Sequence, residues 1–460
     1  MHYGRAIGAG ILAGLLAACS SQNSNSTGPI PYGGTSPTAV STVNTLAVGN
    51  TANSSPAASV PQSTETGGSF IASTSATTVP RHVLTGDYLG APNGSSTLTP
   101  AQVAPYLNWA QVAYTAANAT SAAGIKVQAY FNPNHVATYD PLYAMLPSSG
   151  WAETCSSARV HLDYKARTTE YQTNPESSAL RSIYASYVAS RLRGEHVDAV
   201  FEDTAGPLQG SGIATFLPSL PCNYNTNAWL DGERSLEAGL SVPTIFNGLS
   251  GLDGHNVSLS IGLLENAKTI GGAYEHCFAD TASEPVLAAW VWTAAENTQL
   301  SVTHQGKLFQ CMAFDTASAS TQIATRIYTI ASFLMTYDIN HSVLQELFAT
   351  PSRFHVLPES ELVPTNPAIA NPSNISSLLA PGGAYVREYR SCYIAQRLAG
   401  ACAMVVNPSY NTVPYPATLS AFHHTLTLAG YSVLEGGTIG TKGAVPPRTL
   451  AKESAVVVFP

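Results

Sequence analysis

Two stretches of this sequence end an alternating run on a carboxylate. Val197-Asp198-Ala199-Val200-Phe201-Glu202-Asp203 places Val197, Ala199, Phe201 and Asp203 on one face of an extended strand and Glu202 on the other. Gly271-Gly272-Ala273-Tyr274-Glu275-His276 ends the same way, on Glu275. Two carboxyls at one cleft can divide the work of breaking a glycosidic bond: one protonates the departing oxygen, and the other attacks the anomeric carbon or activates water. Their surroundings must separate their proton affinities, because one protonation state cannot do both jobs. Plainer uses exist for each. Asp203, just before Thr204, could cap a following helix, and Glu275 could be an exposed loop acid or the partner of an arginine. Should the Val197 face turn outward, Glu202 replaces Asp203.

These residues need a frame that brings distant strand ends together. Candidate strands are 82–88, 125–131, 159–164, 197–203, 243–247, 270–275, 308–314 and 342–348, with helical periodicity clearest over 177–193 and 321–337. Eight strands alternating with helical segments over residues 81–350 predict an α/β fold, a (β/α)8 TIM barrel, with a doubly wound sheet as the rival. Barrels carry their chemistry at the C-terminal edge of the strands. That edge adds Asp87, Asn132, Asn247 and Asp315 as candidates for substrate contact, Asp315 fitting a loop or cap residue better. Tyr130, Phe131, Trp151, Tyr274, Trp290 and Trp292 lie near predicted strand ends, where a flat ring can stack on a sugar; each fits a core position at least as well. If Trp290-Val291-Trp292 is extended, its two indoles project the same way. Residues 351–460 change rhythm. Short β-like runs at 385–392, 401–407 and 455–459, with strand and turn material at 434–443, predict a barrel-closing segment and a small β-rich C-terminal domain.

Composition narrows the partners. Charged residues make up 10% of the 460, against about 25% in ordinary soluble domains, while hydrophobic residues reach 45%, enough for a large core. A net charge of −8 leaves little material for a phosphate-tracking surface, so neither nucleic acid nor an anionic membrane face is expected as a partner. The polar surface is rich in hydroxyl and amide groups, which suit a neutral, hydrogen-bonding ligand such as carbohydrate.

The chain opens with Arg5, an apolar stretch from Ala6 to Ala18, and Leu16-Ala17-Ala18-Cys19. The stretch is too short to span a bilayer and reads as a signal peptide over residues 1–18. Leu-Ala-Ala-Cys resembles the bacterial lipobox, which implies lipidation of Cys19, export to the cell envelope or cell surface, and membrane attachment through the lipid alone. From Ser20 to Pro80, 41 of 61 residues are Ser, Thr, Gly, Pro or Asn, too little apolar material for a core, so residues 19–80 are expected to be a disordered tether.

Outside the reducing cytoplasm the remaining six cysteines are expected to form three disulfides, and nearness along the chain favours Cys155 with Cys222, Cys277 with Cys311 and Cys392 with Cys402. No CxxC and no His pair at helical spacing is present, so no metal site is expected; His423-His424 reads as a solvated pair. The sequence lacks a GxSxG elbow, Asn247-Gly248-Leu249-Ser250-Gly251 having the wrong offset, and it lacks phosphate-binding glycine loops. No cofactor is expected, and the chain is expected to be a monomer.

The stretches 197–203 and 273–275, with Leu357-Pro358-Glu359, the late Gly-Gly-Thr-Ile-Gly-Thr-Lys-Gly run and the terminal Ala-Val-Val-Val-Phe-Pro, together resemble the glycoside-hydrolase-like barrel families of bacteria over most of residues 81–460. The resemblance implies a barrel with an accessory β element and a glycosidase site. In the barrel clan that includes α-galactosidases, an Asp after the fourth strand is the nucleophile and an acid follows the sixth, which implies Asp203 and Glu275; Glu202 beside Asp203 departs from that pattern and leaves the choice between the two open. The alternative function is a non-catalytic carbohydrate-binding or structural envelope lipoprotein on a degenerate barrel.

Overall fold

The computed structural model describes residues 84–87, 99–162, 170–208, 217–249, 260–275, 277–278, 289–315, 323–348 and 356–460. Eight parallel strands form a closed barrel: β1 (Leu84–Asp87), β2 (Trp109–Val112), β3 (Lys126–Phe131), β4 (Ala199–Glu202), β5 (Thr244–Asn247), β6 (Thr269–Glu275), β7 (Leu308–Asp315) and β8 (Ser342–Phe348). Each strand pairs with its neighbours in sequence, and β8 pairs back onto β1.

Strands in such a wall are covered on both sides, so they read as continuous apolar runs. In β4, Ala199 and Phe201 join Trp109, Ile245, Ala273, Leu308, Met312 and Val343 in the barrel interior. Val200 points the other way, into a core shared with Leu180, Tyr184, Val188 and Leu236. Those partners come from α1 (Ser178–Arg191) and α2 (Thr226–Ala238), the helices on either side of β4 in sequence. Helix α1 presents Leu180, Tyr184, Tyr187 and Val188 at helical spacing, and Ser177 begins it by accepting a hydrogen bond from the Leu180 amide. Helices α3 (Ala289–His304) and α4 (Ile323–Phe333) follow β6 and β7. Among the described residues no helix is long and apolar enough to cross a membrane.

The order of strands corrects the sequence reading at one point. Trp109–Val112 is the second barrel strand, a position not predicted, whereas 159–162, the described part of predicted strand 159–164, is no barrel strand. That part bridges instead through Arg159 to Glu153 and through His161 to Tyr171, beside a ribbon of His135–Ala137 and Glu170–Gln172. Both segments are short and locally suited to extension; the difference is that Trp109–Val112 has a parallel neighbour on each side. The omission and the addition cancel, so 199–202 and 269–275 are still the fourth and sixth strands.

After β8 the chain builds an antiparallel sheet, β9 (Leu362–Pro367), β10 (Tyr385–Ile394), β11 (Arg397–Asn407), β12 (His424–Thr425) and β13 (Ser454–Phe459), in the order β9-β10-β11-β13-β12. Residues 433–435 form a 3-10 turn rather than strand, closed by Gly436 at φ 84°, and the strand material is Thr438–Gly440 pairing with Thr427–Ala429. Tyr328, Ile330 and Phe333 of α4 share one core with Tyr389, Met404, Val457 and Phe459 of the sheet. The Tyr389 hydroxyl donates to the Leu334 carbonyl at 2.6 Å, and the buried Arg326 guanidinium pairs with the buried Glu359 carboxylate and donates to the Gly430 carbonyl at 3.0 Å. The three disulfides are Cys155–Cys222, Cys277–Cys311 and Cys392–Cys402, the pairing that nearness along the chain favours. Residues 1–80, with Cys19 and the leader, lie outside the described residues.

Candidate active site

Strand β4 continues into Asp203, whose amide donates to the Phe131 carbonyl of β3 at 2.9 Å. The alternation of the strand then carries its side chain to the interior face, two residues beyond Phe201. Thr204 breaks the strand at φ 59°, a left-handed conformation that is rare for a β-branched residue and costs about 1–3 kcal/mol. Several bonds hold it there. Its hydroxyl donates to Asn132 Oδ1 at 2.9 Å, its carbonyl accepts from Asn134 Nδ2 at 3.2 Å, and its amide donates to Asp203 Oδ1 at 2.9 Å. Residues 204–208 are turn and loop rather than helix, so Asp203 is not a helix cap. Gly248, at the end of β5, makes room for this turn: a Cβ there would lie 1.8 Å from the Ala205 carbonyl oxygen.

Three further side chains meet at Asp203. The Tyr130 hydroxyl, from β3, donates to Asp203 Oδ2 at 2.6 Å. Asn247 Nδ2, from β5, donates to Asp203 Oδ1 at 2.8 Å and to Glu275 Oε2, from β6, at 3.0 Å. Asp203 and Asn247 are buried, while Tyr130 and Glu275 are half-buried. Burial and the neighbouring Glu275 charge push the Asp203 carboxyl up to about 6, against the hydrogen bonds from Tyr130, Asn247 and Thr204, which favour its anion.

Below this constellation the barrel interior holds a chain of buried amides. Gln128 donates across the barrel to Gln310 at 2.9 Å, Gln310 donates to Gln345, and Gln345 donates to Gln111 at 3.3 Å. Neither this layer nor Thr204 was anticipated. Polar residues at inward positions of otherwise apolar strands, such as Gln128 two residues before Tyr130, were the available signal for the layer. Nothing local marks a Thr for positive φ.

The other predicted residues lie elsewhere or serve otherwise. Glu202 is on the outer side of the barrel wall, buried against Tyr184 of α1 and near Glu233 and Glu237 of α2, and is not at the mouth. Burial pushes its carboxyl up to about 8. Asn132 is beside the site, but its Oδ1 accepts from the His135 and Asn134 amides at 2.8 and 3.2 Å as well as from Thr204, so it shapes the turn. Tyr274 is buried on the outer face of β6 against Phe309, as alternation from Glu275 requires. Trp290-Val291-Trp292 is helical, within α3, because its neighbours continue a helical apolar pattern. Trp292 is buried, donates to Ser332 Oγ at 2.9 Å and lies against Tyr385, so it is no sugar platform; the Trp290 side chain lies outside the described residues. Phe131 packs outward against Tyr187, and Trp151 is buried under the Arg159 guanidinium. Asp87 and Asp315 end β1 and β7 in register with Gln111 and Phe348, and their side chains are outside the described residues. Among the described residues no group of His, Cys, Asp and Glu could hold a metal ion.

No protein-family model matches the chain, and no curated protein matches it in sequence. Solved structures similar to it include the glycoside hydrolase domain of PelA from Pseudomonas aeruginosa, at TM-score 0.38 and 12% identity over 59% of this chain and 96% of that one. Ega3 from Aspergillus fumigatus, in complex with galactosamine, gives TM-score 0.38 and 12% identity over 60% and 95%. The galactosidase domain of the α-galactosidase-sucrose kinase AgaSK gives TM-score 0.43 and 10% identity over 83% of this chain and 54% of that one, so the chain spans about half of that structure.

Proposed function

We propose that the chain is a glycoside hydrolase that cleaves O-glycosidic bonds of an extracellular or envelope polysaccharide with Asp203 and Glu275. The observation that carries this reading is that both carboxylates, from the fourth and sixth strands, converge on the amide of Asn247 at the C-terminal edge of the barrel. Among the described residues the donors on Asp203 are a tyrosine hydroxyl, a carboxamide and a backbone amide, all neutral. They favour a carboxylate without discharging it, which is the condition a nucleophile needs and a buried ion pair lacks.

The facing oxygens of the two carboxyls share one nitrogen at 2.8 and 3.0 Å, a close approach that supports the roughly 5 Å of direct attack over the roughly 6.5–9.5 Å that an inverting enzyme leaves for its water. Asp203 then attacks the anomeric carbon while Glu275 protonates the leaving oxygen, and Glu275 afterwards takes the proton from the water that releases the sugar with net retention. Tyr130 gives up charge-assisted contact as the Asp203 oxygen becomes an ester oxygen, and regains it on release. On this reading the chain comprises a leader at residues 1–18, a lipidated Cys19 with a tether to residue 80, the barrel over 81–350 and the β-rich segment 351–460, and works as a monomer at the cell envelope.

The test is a screen of the protein against polysaccharides and aryl glycosides, with the anomeric configuration of the first-formed product followed by proton NMR. Hydrolysis with retention is expected. Binding of a glycan without turnover across the panel supports the non-catalytic alternative.

A further inference from the structure

Asn247 was expected to contact substrate, and the geometry around it points to another task. A carboxamide nitrogen has two hydrogens and no free lone pair to accept with. Both hydrogens are committed, one to Asp203 Oδ1 at 2.8 Å and one to Glu275 Oε2 at 3.0 Å, and the residue is 4% exposed. The donor end of this side chain therefore has nothing left for a sugar hydroxyl.

Two carboxyls at this spacing have a competing arrangement. Without a donor between them they relax toward each other and share one proton in an O–H···O bond, as paired carboxyls do when like charges are close. A nucleophile that shares its proton in this way is no longer a free anion. We propose that Asn247 is a positioning residue that prevents this collapse: by occupying the facing oxygens of Asp203 and Glu275 with N–H donors, it holds the two apart and favours the Asp203 anion. The role assigned to Asn247 rests on the two-carboxylate reading above. Its place in the fold suits it. Strand β5 lies between β4, which carries Asp203, and β6, which carries Glu275, and Asn247 ends it in register with Ala273, two residues before Glu275.

Among the described residues two further donors face Asp203. Tyr130 comes from β3 and the Thr204 amide from its own turn. Glu202, with Tyr184, Glu233 and Glu237, lies across the wall on the outer face of β4. Removing Asn247 therefore changes the Asp203 environment without removing its other two donors.

The test follows the Asp203 carboxyl by carbon-13 NMR titration in the full chain and in two variants, with kcat, KM and the pH profile measured alongside on a cleaved aryl glycoside. Asn247→Leu keeps the volume and removes the donors; Asn247→Ser keeps one. The Asp203 titration is expected to move up by about one unit or more in the leucine variant and by less in the serine variant. The acid limb of the pH profile should move with it, and kcat should fall by about 100-fold or more, with KM within about threefold of the parent. An unmoved Asp203 titration in folded variants overturns the proposal, and a raised KM with an unmoved profile returns Asn247 to substrate contact. A parent that hydrolyses nothing defeats the hydrolase reading, while the titration still decides whether Asn247 separates the two carboxyls.

Discussion

Glu202 and Asp203 are adjacent in sequence and stand on opposite sides of one barrel wall. Asp203 faces the barrel interior with Tyr130 and Asn247, while Glu202 faces the helices with Tyr184. The peptide bond between them thus separates a carboxyl set among donors that favour its charge from one whose burial opposes it. Each makes a distinct prediction.

Asp203 must be ionised to attack, and its carboxyl is held near 6, so kcat/KM should fall as pH drops below about 6. Asp203→Asn should lower kcat on the order of 1,000-fold or more at any pH while leaving the unfolding midpoint close to the parent's, because the amide preserves shape and removes the nucleophile. Steady-state kinetics across pH 4 to 8, with a thermal melt, checks both. Full activity in this variant would remove Asp203 from the reaction.

Glu275→Gln should depend on the leaving group. An acid matters when the departing oxygen needs a proton, so kcat on unactivated glycans should drop by about 100-fold or more, and far less on nitrophenyl glycosides. Equal losses on both would take the acid role away from Glu275.

The Glu202 carboxyl is raised by burial from its ordinary 4.5 to about 8 in the folded chain. A raised carboxyl contributes its stability below the unfolded value, and that contribution is lost as pH rises through the folded value. The parent should therefore lose stability between about pH 4.5 and 8 by an amount on the order of a few kcal/mol that Glu202→Gln does not lose. Urea midpoints at pH 5 and pH 8.5 measure the difference; parallel curves for the two proteins would show that Glu202 is not the group responsible.

Gly248→Ala puts a methyl group against the Ala205 carbonyl, a backbone atom that cannot step aside without moving the Asp203 turn. The expected cost is about 2 kcal/mol or more, seen in denaturant melts, together with loss of activity. An alanine variant with parental stability would mean that the turn has slack.

Cys19→Ser tests the anchor. If the lipobox reading holds, the variant should leave the membrane fraction for the soluble fraction of cells expressing it, since a lipid on Cys19 is the proposed attachment. Unchanged fractionation would assign the attachment elsewhere.

The strand at 199–202, the direction of Asp203 relative to Glu202, and the helix over 178–191 were all legible in the sequence, because side-chain direction follows from the backbone repeat of the same few residues. The disulfide pairing was legible for a similar reason, each bridge closing a comparatively short loop. Which short segments enter the barrel was not. Trp109–Val112 and 159–164 differ less in local character than in whether parallel neighbours are present on both sides. Whether Trp290-Val291-Trp292 is extended was not legible, because three residues carry no reliable period, and α3 decides their direction over sixteen. Tertiary structure alone decided the site. Asn247 meets partners 44 and 28 residues away, and Thr204 is held at positive φ by Asn132, 72 residues earlier. Hydrogen bonds between strands that far apart depend on strand order and register, and only the closed barrel supplies those.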